Sequence, residues 1–283
     1  MTQANQDQSL NLFMSEPLPG DSRQARQMAR RQLIVEAVMA EGAIRIEDIT
    51  ERFDISLMTA HRDIDELAER GLLHKSRGVV SATATPLVES SDIYRATRQL
   101  AEKQAIADAA VGYLEHDEVI FMDDSTTVFQ MARLLPARTP LTVITNSLTL
   151  MNELKDIRDL TLLGLGGQYH NWCNAFLGHM TRDEIAALRA DTFYVSMSAI
   201  MDDAVFHQSA DMVETKRAMF ESARRRILLM DHTKFERRAL YRFAHLSEFD
   251  AVIVNQGTPV ATLHRLDELG INIIVAPMRA ERE

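Results

Sequence analysis

Residues 123–127 read Asp-Asp-Ser-Thr-Thr, directly behind the apolar run Val119-Ile120-Phe121-Met122 and directly ahead of a helical pattern. A loop of carboxylates and hydroxyls between a buried strand and a helix has a definite chemistry. The first N–H groups of a helix lack intrahelical acceptors and carry partial positive charge, so such a loop binds anions. Ser125, Thr126 and Thr127 add hydroxyl donors to it. Two more apolar runs end in polar loops: Thr145, Asn146 and Ser147 after Leu-Thr-Val-Ile, and Gly164, Gly166 and Gly167 after Leu-Thr-Leu-Leu. Strand ends line the ligand crevice of an α/β sheet. Thr145–Ser147 alone read best as a helix cap and turn; three such loops together point to one small polar ligand.

A second set of residues suits a different chemistry. At 100° per residue, Ala60, Ile64 and Leu67 form the core face of a helix that turns Met58, Arg62, Asp65 and Glu69 outward, with Thr59 and His61 on the flanks. Ser56 stands at its N-cap position. Met58, Thr59, His61 and Arg62 can read base edges or hold phosphate, whereas Asp65, Glu66 and Glu69 repel phosphate, so only the first half of the helix suits a DNA groove. Arg23, Arg26, Arg30 and Arg31 open an earlier helix, and Lys75 and Arg77 tip a hairpin, which flanks the groove-facing turns with cations for the DNA backbone.

These residues need elements to hold them. Residues 1–21 read as a disordered tail. Residues 22–80 carry three short helices, stopping at Gly42, near Phe53 and at Gly71, then the hairpin Leu-Leu-His-Lys-Ser-Arg-Gly-Val-Val; the pattern resembles a winged helix-turn-helix, and a small helical subdomain with a solvated, salt-bridged surface would share it. Residues 81–92 have linker composition. From 93 to 283 short apolar strands near 119, 141, 160, 193, 226, 251 and 271 alternate with helical stretches, the pattern of an α/β domain with a mostly parallel sheet. His170, Trp172 and His207 fall in expected loops and suit packing or the surface as well as ligand stacking. Arg224, Arg225 and Arg226 read as a solvated strand end.

Composition narrows the classes. The 283 residues are 46% hydrophobic and 25% charged, with a net charge of -10 that argues against a general polyanion binder. Residues 22–80 hold ten basic and ten acidic residues, so a local basic face remains open there. Cys173 stands alone, which excludes a disulfide framework and a cysteine metal site of the usual spacing. No apolar run nears the ~20 residues of a membrane span, and residues 1–21 lack the pattern of a secretory signal, so a cytoplasmic protein without membrane partner is expected. Neither a Walker loop, a nucleophile elbow, an HExxH motif nor a strong dinucleotide fingerprint is present, and no cofactor or metal is expected.

The stretch FDISLMTAHRDIDELAERGLLHK resembles the helix-turn-helix of the DeoR family of bacterial repressors, with Ser56, Thr59, Arg62 and Asp63 at matching positions. His61 stands where that family usually has arginine, and Ser76-Arg77-Gly78 where it usually has His-Gly-Gly. Further on, DDSTT (123–127), TNS (145–147), GG (166–167), ETKRAMF (214–220) and DHTKF (231–235) resemble the landmarks of the family's sensor domain, so the likeness spans about 23–277. The resemblance implies a sensor similar in fold to ribose-5-phosphate isomerase and glucosamine-6-phosphate deaminase. It further implies a repressor that binds double-stranded operator DNA as a homo-oligomer, dimer or tetramer, under control of a sugar phosphate. The effector residues so implied are Asp123, Asp124, Ser125, Thr126, Thr127, Asn146, Ser147, Gly166, Gly167, Lys216 and Lys234. Asp124 replaces the family's glycine. A carboxylate beside a phosphate is costly unless it turns away or a cation intervenes, and Lys216 and Lys234 are the candidate cations; Asp124 could instead bond sugar hydroxyls. The rival reading is a sugar-phosphate isomerase or deaminase with an appended DNA-binding module, for which Asp123, Asp124 and Glu214 would supply carboxylates.

Overall fold

The computed structural model describes residues 23–41, 43–69, 72–82, 92–170 and 172–278, and these divide into two compact units between Arg95 and Ala96. The expected tail and most of the expected linker, 83–91, lie outside the described residues, as do the glycine stops at 42 and 71.

In the first unit helix α1 (Arg23–Glu41) is followed by strand β1 (Ala43–Arg45) and helices α2 (Ile46–Phe53) and α3 (Leu57–Glu69). Isoleucine spacing decides which faces meet: Ile34 and Val38 of α1, Ile46 and Ile49 of α2, and Ala60, Ile64 and Leu67 of α3 share one core. Each wholly buried Ile or Leu there stabilises the unit by about 1.5–3 kcal/mol. Asp54 ends α2 in the left-handed region (φ 48°), returning its N–H to Glu51 and Thr50 carbonyls. The hairpin joins β2 (Leu73–Ser76) to β3 (Val79–Ala82) through Arg77 and Gly78, both at positive φ, the geometry of a two-residue type I′ turn. Strand β1, too short for its alternation to show in sequence, pairs with β3 and makes the wing three-stranded in the order β1-β3-β2.

The second unit is built on a seven-stranded sheet. Its strands are β4 (Val119–Met122), β5 (Leu141–Thr145), β6 (Leu160–Gly164), β9 (Ala190–Val195), β12 (Ala223–Met230), β14 (Ala251–Asn255) and β15 (Ile273–Ala276), in the order β15-β14-β12-β9-β4-β5-β6. Every pairing in it is parallel. All seven strands expected from the sequence are there. Successive residues feed opposite cores: Phe121, Phe193 and Leu228 face one side, Ile120, Tyr194 and Ile227 the other. Helix α5 (Leu100–Ala110), which follows the short α4 (Asp92–Thr97), covers the second side with α6 (Leu148–Leu154). Helices α7 (His179–Ala186), α8 (Ala210–Glu221) and α9 (Val260–Glu268) cover the first. Two small antiparallel sheets, unseen in the sequence, complete the unit: β7 (Gln168–His170) with β8 (Ala175–Leu177), and β10 (Ala199–Met201), β11 (Ala204–His207) and β13 (Tyr241–His245). The chain winds outward from β4 through β5 to β6, then resumes on the other side of β4 with β9. That reversal, at the carboxyl ends of β4 and β9, is where open α/β sheets have their ligand crevice.

Candidate functional site

Helix α3 presents the face expected of it. Ala60, Ile64 and Leu67 are wholly buried, while Met58 is 84% exposed and Arg62 also points outward. Ser56 caps the helix: its hydroxyl accepts the Thr59 N–H at 3.2 Å and lies 2.8 Å from the Thr59 hydroxyl, so Thr59 is engaged in the cap and His61 is half-buried. Arg77 stands exposed at the hairpin tip. Lys75 forms a 2.6 Å ion pair with Asp65, so it reaches DNA only by leaving that partner. Arg30 and Arg31 are not displayed for the DNA backbone as expected. Asp63 is wholly buried on α3 and draws in Arg30 at 2.8 Å, Arg31 at 2.9 Å and Gln27 at 3.3 Å, because a buried carboxylate must be neutralised. Burial works to raise the Asp63 carboxyl, but the bonds from Arg30, Arg31 and Gln27 outweigh it and hold the group below its ordinary value. Arg23 and Arg26 belong to α1, and their side chains lie outside the described residues.

In the second unit the crevice is built on Asp123 and Asp124. Asp123 closes β4 wholly buried; its Oδ1 accepts the Ser125 N–H at 2.9 Å, and its Oδ2 accepts the Ser196 N–H at 2.9 Å and the Lys216 ammonium at 2.8 Å. Lys216 also donates to the Ser196 carbonyl at 3.0 Å and lies 3.2 Å from Asp124 Oδ1, without hydrogen-bond alignment. Ser125 turns inward, its hydroxyl accepting the Val128 N–H at 3.2 Å. The helical stretch expected next is the 3₁₀ helix Val128–Ala137. Beyond Ser125, the N–H groups of Thr126 and Thr127, and that of Asp124, have no acceptor among the described residues. Lys103 Nζ donates to the Thr126 hydroxyl at 3.0 Å. N–H groups, a hydroxyl and an ammonium brought to one loop form a set of donors able to hold an anion.

Cations enter from both faces of the sheet. Lys103 stands on α5 one turn ahead of the buried Ile106 and Ala107, whereas Lys216 stands on α8 one turn ahead of the buried Met219 and Phe220 on the opposite side. Burial pushes the Asp123 carboxyl above its ordinary value; Lys216 opposes the rise and the Asp124 charge adds to it. At the end of β12 burial also works to raise Asp231, but the Lys234 ammonium, a bond from the Thr233 N–H and the charges of Arg237 and Lys103 hold it below the ordinary value. Three buried carboxylates (Asp123, Asp124, Asp231) and three buried ammoniums (Lys103, Lys216, Lys234) therefore occupy the crevice and its edge.

Other expected residues sit elsewhere or differently. Ser147 caps α6 through the Leu150 N–H, as a cap-and-turn reading requires, and Asn146 Nδ2 donates to the Phe176 carbonyl. Gly166 and Gly167 are drawn to α7. The Gly166 N–H meets the Glu184 carboxylate and its carbonyl the Thr181 hydroxyl, and a Cβ on Gly167 would stand 2.1 Å from Thr181 Oγ1. Glu214 faces solvent in an ion pair with Arg182 at 2.6 Å, outside the crevice, which removes one carboxylate from the enzyme reading. His207 and Trp172 pack together near Cys173 and Met212. The three arginines expected at a solvated end are residues of β12: Arg225 binds Glu115 and the buried Glu118, and Arg226 lies over the Phe220 ring. Lys103 was missed altogether, although a lysine on the apolar face of Leu-Ala-Glu-Lys-Gln-Ala-Ile-Ala was a readable sign.

Residues 30–85 match the model of the DeoR-like helix-turn-helix domain, and residues 98–256 match that of the DeoR C-terminal sensor domain. The chain belongs to the DeoR family. Its α3 face and its crevice fall within those two matches, and Lys103, the residues 123–127, Lys216 and Asp231 all lie in the sensor match. Curated relatives of this DeoR chain include the glycerol-3-phosphate regulon repressor of Escherichia coli K12, 29% identical over 88% of this chain and 98% of the relative. The lactose phosphotransferase system repressor of Staphylococcus aureus NCTC 8325 is 31% identical over 78% of this chain and 89% of the relative. Solved structures are more distant: a D-ribose-5-phosphate isomerase in complex with phospho-erythronic acid reaches a TM-score of 0.36 at 14% identity, over 47% of this chain and 52% of that one. Among the described residues no helix is long and apolar enough to cross a membrane, and no cluster of three metal-ligating side chains occurs.

Proposed function

We propose that the protein is a cytoplasmic transcriptional repressor of a carbohydrate-utilisation operon, released from or held on its operator by a phosphorylated sugar or related metabolite. The observation that carries this reading is the cradle at 124–127, where N–H groups without acceptors adjoin a hydroxyl already bonded to a buried lysine. A phosphate monoester offers what those donors lack. The relatives named for glycerol-3-phosphate and for a lactose phosphotransferase system support a phosphorylated metabolite of carbohydrate use. In the first unit Met58, Arg62 and the flanking His61 read bases, and Arg77, Lys75, Arg23 and Arg26 hold phosphates. The effector shifts operator affinity only through a difference in its affinity for two states of the sensor. Helix-turn-helix modules act in pairs on half-sites about one turn of DNA apart, so the working form is a homo-oligomer.

A fluorescence-anisotropy titration on DNA upstream of the neighbouring genes, joined to a thermal-shift screen of sugar phosphates against free sugars, tests the reading. A true effector at ~100 times its Kd adds ~2.7 kcal/mol of stability. It must also change operator affinity. Turnover of the bound sugar phosphate would replace the repressor with the isomerase or deaminase reading.

A further inference from the structure

Asp124 is a buried carboxylate without enough donors. The residue is 6% exposed, and neither oxygen has a hydrogen-bond partner among the described residues; the nearest charge is Lys216, 3.2 Å from Oδ1, whose aligned bonds go to Asp123 and the Ser196 carbonyl. A second acceptor without a donor stands at the end of the neighbouring strand β5. Met122 pairs with Thr145 across β4 and β5, so Asn146 stands one residue beyond that pair, next to Asp123. Its amide is oriented by the 2.9 Å bond from Nδ2 to the Phe176 carbonyl, which leaves Oδ1, buried, with no donor. Both side chains present acceptors suited to a donor.

The charges of the crevice say which kind. Among the described residues the buried carboxylates Asp123, Asp124 and Asp231 are matched by the buried ammoniums Lys103, Lys216 and Lys234, with Arg237 also acting on Asp231, so of the two negative charges that a phosphate dianion adds to this buried place at least one stays uncompensated. A ligand that brings a cation with its phosphate offsets one of them. A divalent metal is a poor source of that cation, because Asp123 Oδ1 and Oδ2 are occupied by Ser125, Ser196 and Lys216, and one aspartate with one amide oxygen is too few ligands for a hard ion. An ammonium needs only two or three acceptors.

Resting on the phosphorylated-effector reading, we infer that Asp124 selects an amino-sugar phosphate: its carboxylate takes the protonated amine of the sugar, assisted by Asn146 Oδ1, while the phosphate lies in the 124–127 cradle against Lys103.

Isothermal titration of the full chain with matched pairs decides it: glucosamine 6-phosphate with glucose 6-phosphate, and galactosamine 6-phosphate with galactose 6-phosphate, each beside the N-acetylated sugar, which keeps the bulk and removes the charge. The amine of at least one pair should bind tenfold or more tighter than both neutral counterparts. Asp124→Asn and Asp124→Gly should each bring that ratio close to one. Equal binding of amine and neutral sugars by the unaltered protein, or a preference that survives Asp124→Asn, overturns the inference. If the neutral sugar phosphates bind and Thr126→Val weakens them while the amines gain nothing, only the amine selectivity falls; if no member of the series binds, both readings fall.

Discussion

Asp63 and Asp124 are both buried aspartates beside cations, one in each unit, and they differ in how completely they are satisfied. Asp63 has two arginines and a glutamine donating to its two oxygens. Asp124 has one lysine nearby and no aligned donor. The desolvation cost of a buried carboxylate is offset only by nearly full hydrogen bonding. A complete set therefore marks a structural tie, here between α1 and the groove-facing helix α3. An incomplete set marks a place where the fold leaves room for something else to bond. Asp123, beside Asp124, is of the first kind and helps hold the loop in which its neighbour is left open.

The largest expected effect tests the structural side of this contrast. Asp63→Ala leaves Arg30 and Arg31 without their partner and should destabilise the first unit by about 3 kcal/mol, the low end for a broken buried pair, because Arg30 keeps 24% of its side-chain exposure. Scanning calorimetry should show this together with loss of operator binding and an unchanged effector-induced shift of the sensor. Since the folded protein holds Asp63 below its ordinary 3.8, its contribution is complete above that pH and drains away as pH falls through the lower folded value. Asp63→Asn should remove this part of the acid lability. Next in size, Lys103→Met should weaken a phosphorylated effector by about 1.5–3 kcal/mol, the range for a hydrogen bond to a charged group, and spare the unphosphorylated sugar. Equal losses for both in calorimetric titration would make Lys103 another tie like Asp63. Arg62→Ala should reduce operator affinity at one base position by about 1–3 kcal/mol, without touching folding or effector binding, as an anisotropy series over operator variants would reveal. Thr126→Val should take about 1 kcal/mol from the phosphorylated ligand alone. Smallest of all, Arg77→Ala should lower the slope of log affinity against log salt by about 1. Lys75→Ala should change it less, because Asp65 already competes for that ammonium.

Much of this molecule is determined by local pattern. The three helices follow from a period of 3.6, the hairpin and the seven parallel strands from short apolar runs set off by turn residues and helical stretches, and the core face of α3 is set by the spacing of Ala60, Ile64 and Leu67. The hydroxyl loop at 123–127 was visible for the same reason: composition changes abruptly where a buried strand ends. Apart from Lys216, which the family likeness offers as a cation for Asp124 and which lies 3.2 Å from it, partnerships were not visible. Asp63 meets Arg30 and Arg31 across 33 and 32 residues, Asp123 meets Lys216 across 93, and Lys103 meets Thr126 across 23. Short strands such as β1, β7 and β10 form only because a neighbour in space supplies the ladder. A charged side chain in sequence shows its chemistry but not whether its charge is answered. That depends on the packing of distant elements, and only the tertiary structure decided that Arg30, Arg31 and Lys216 are engaged while the Asp124 carboxylate is left without a donor.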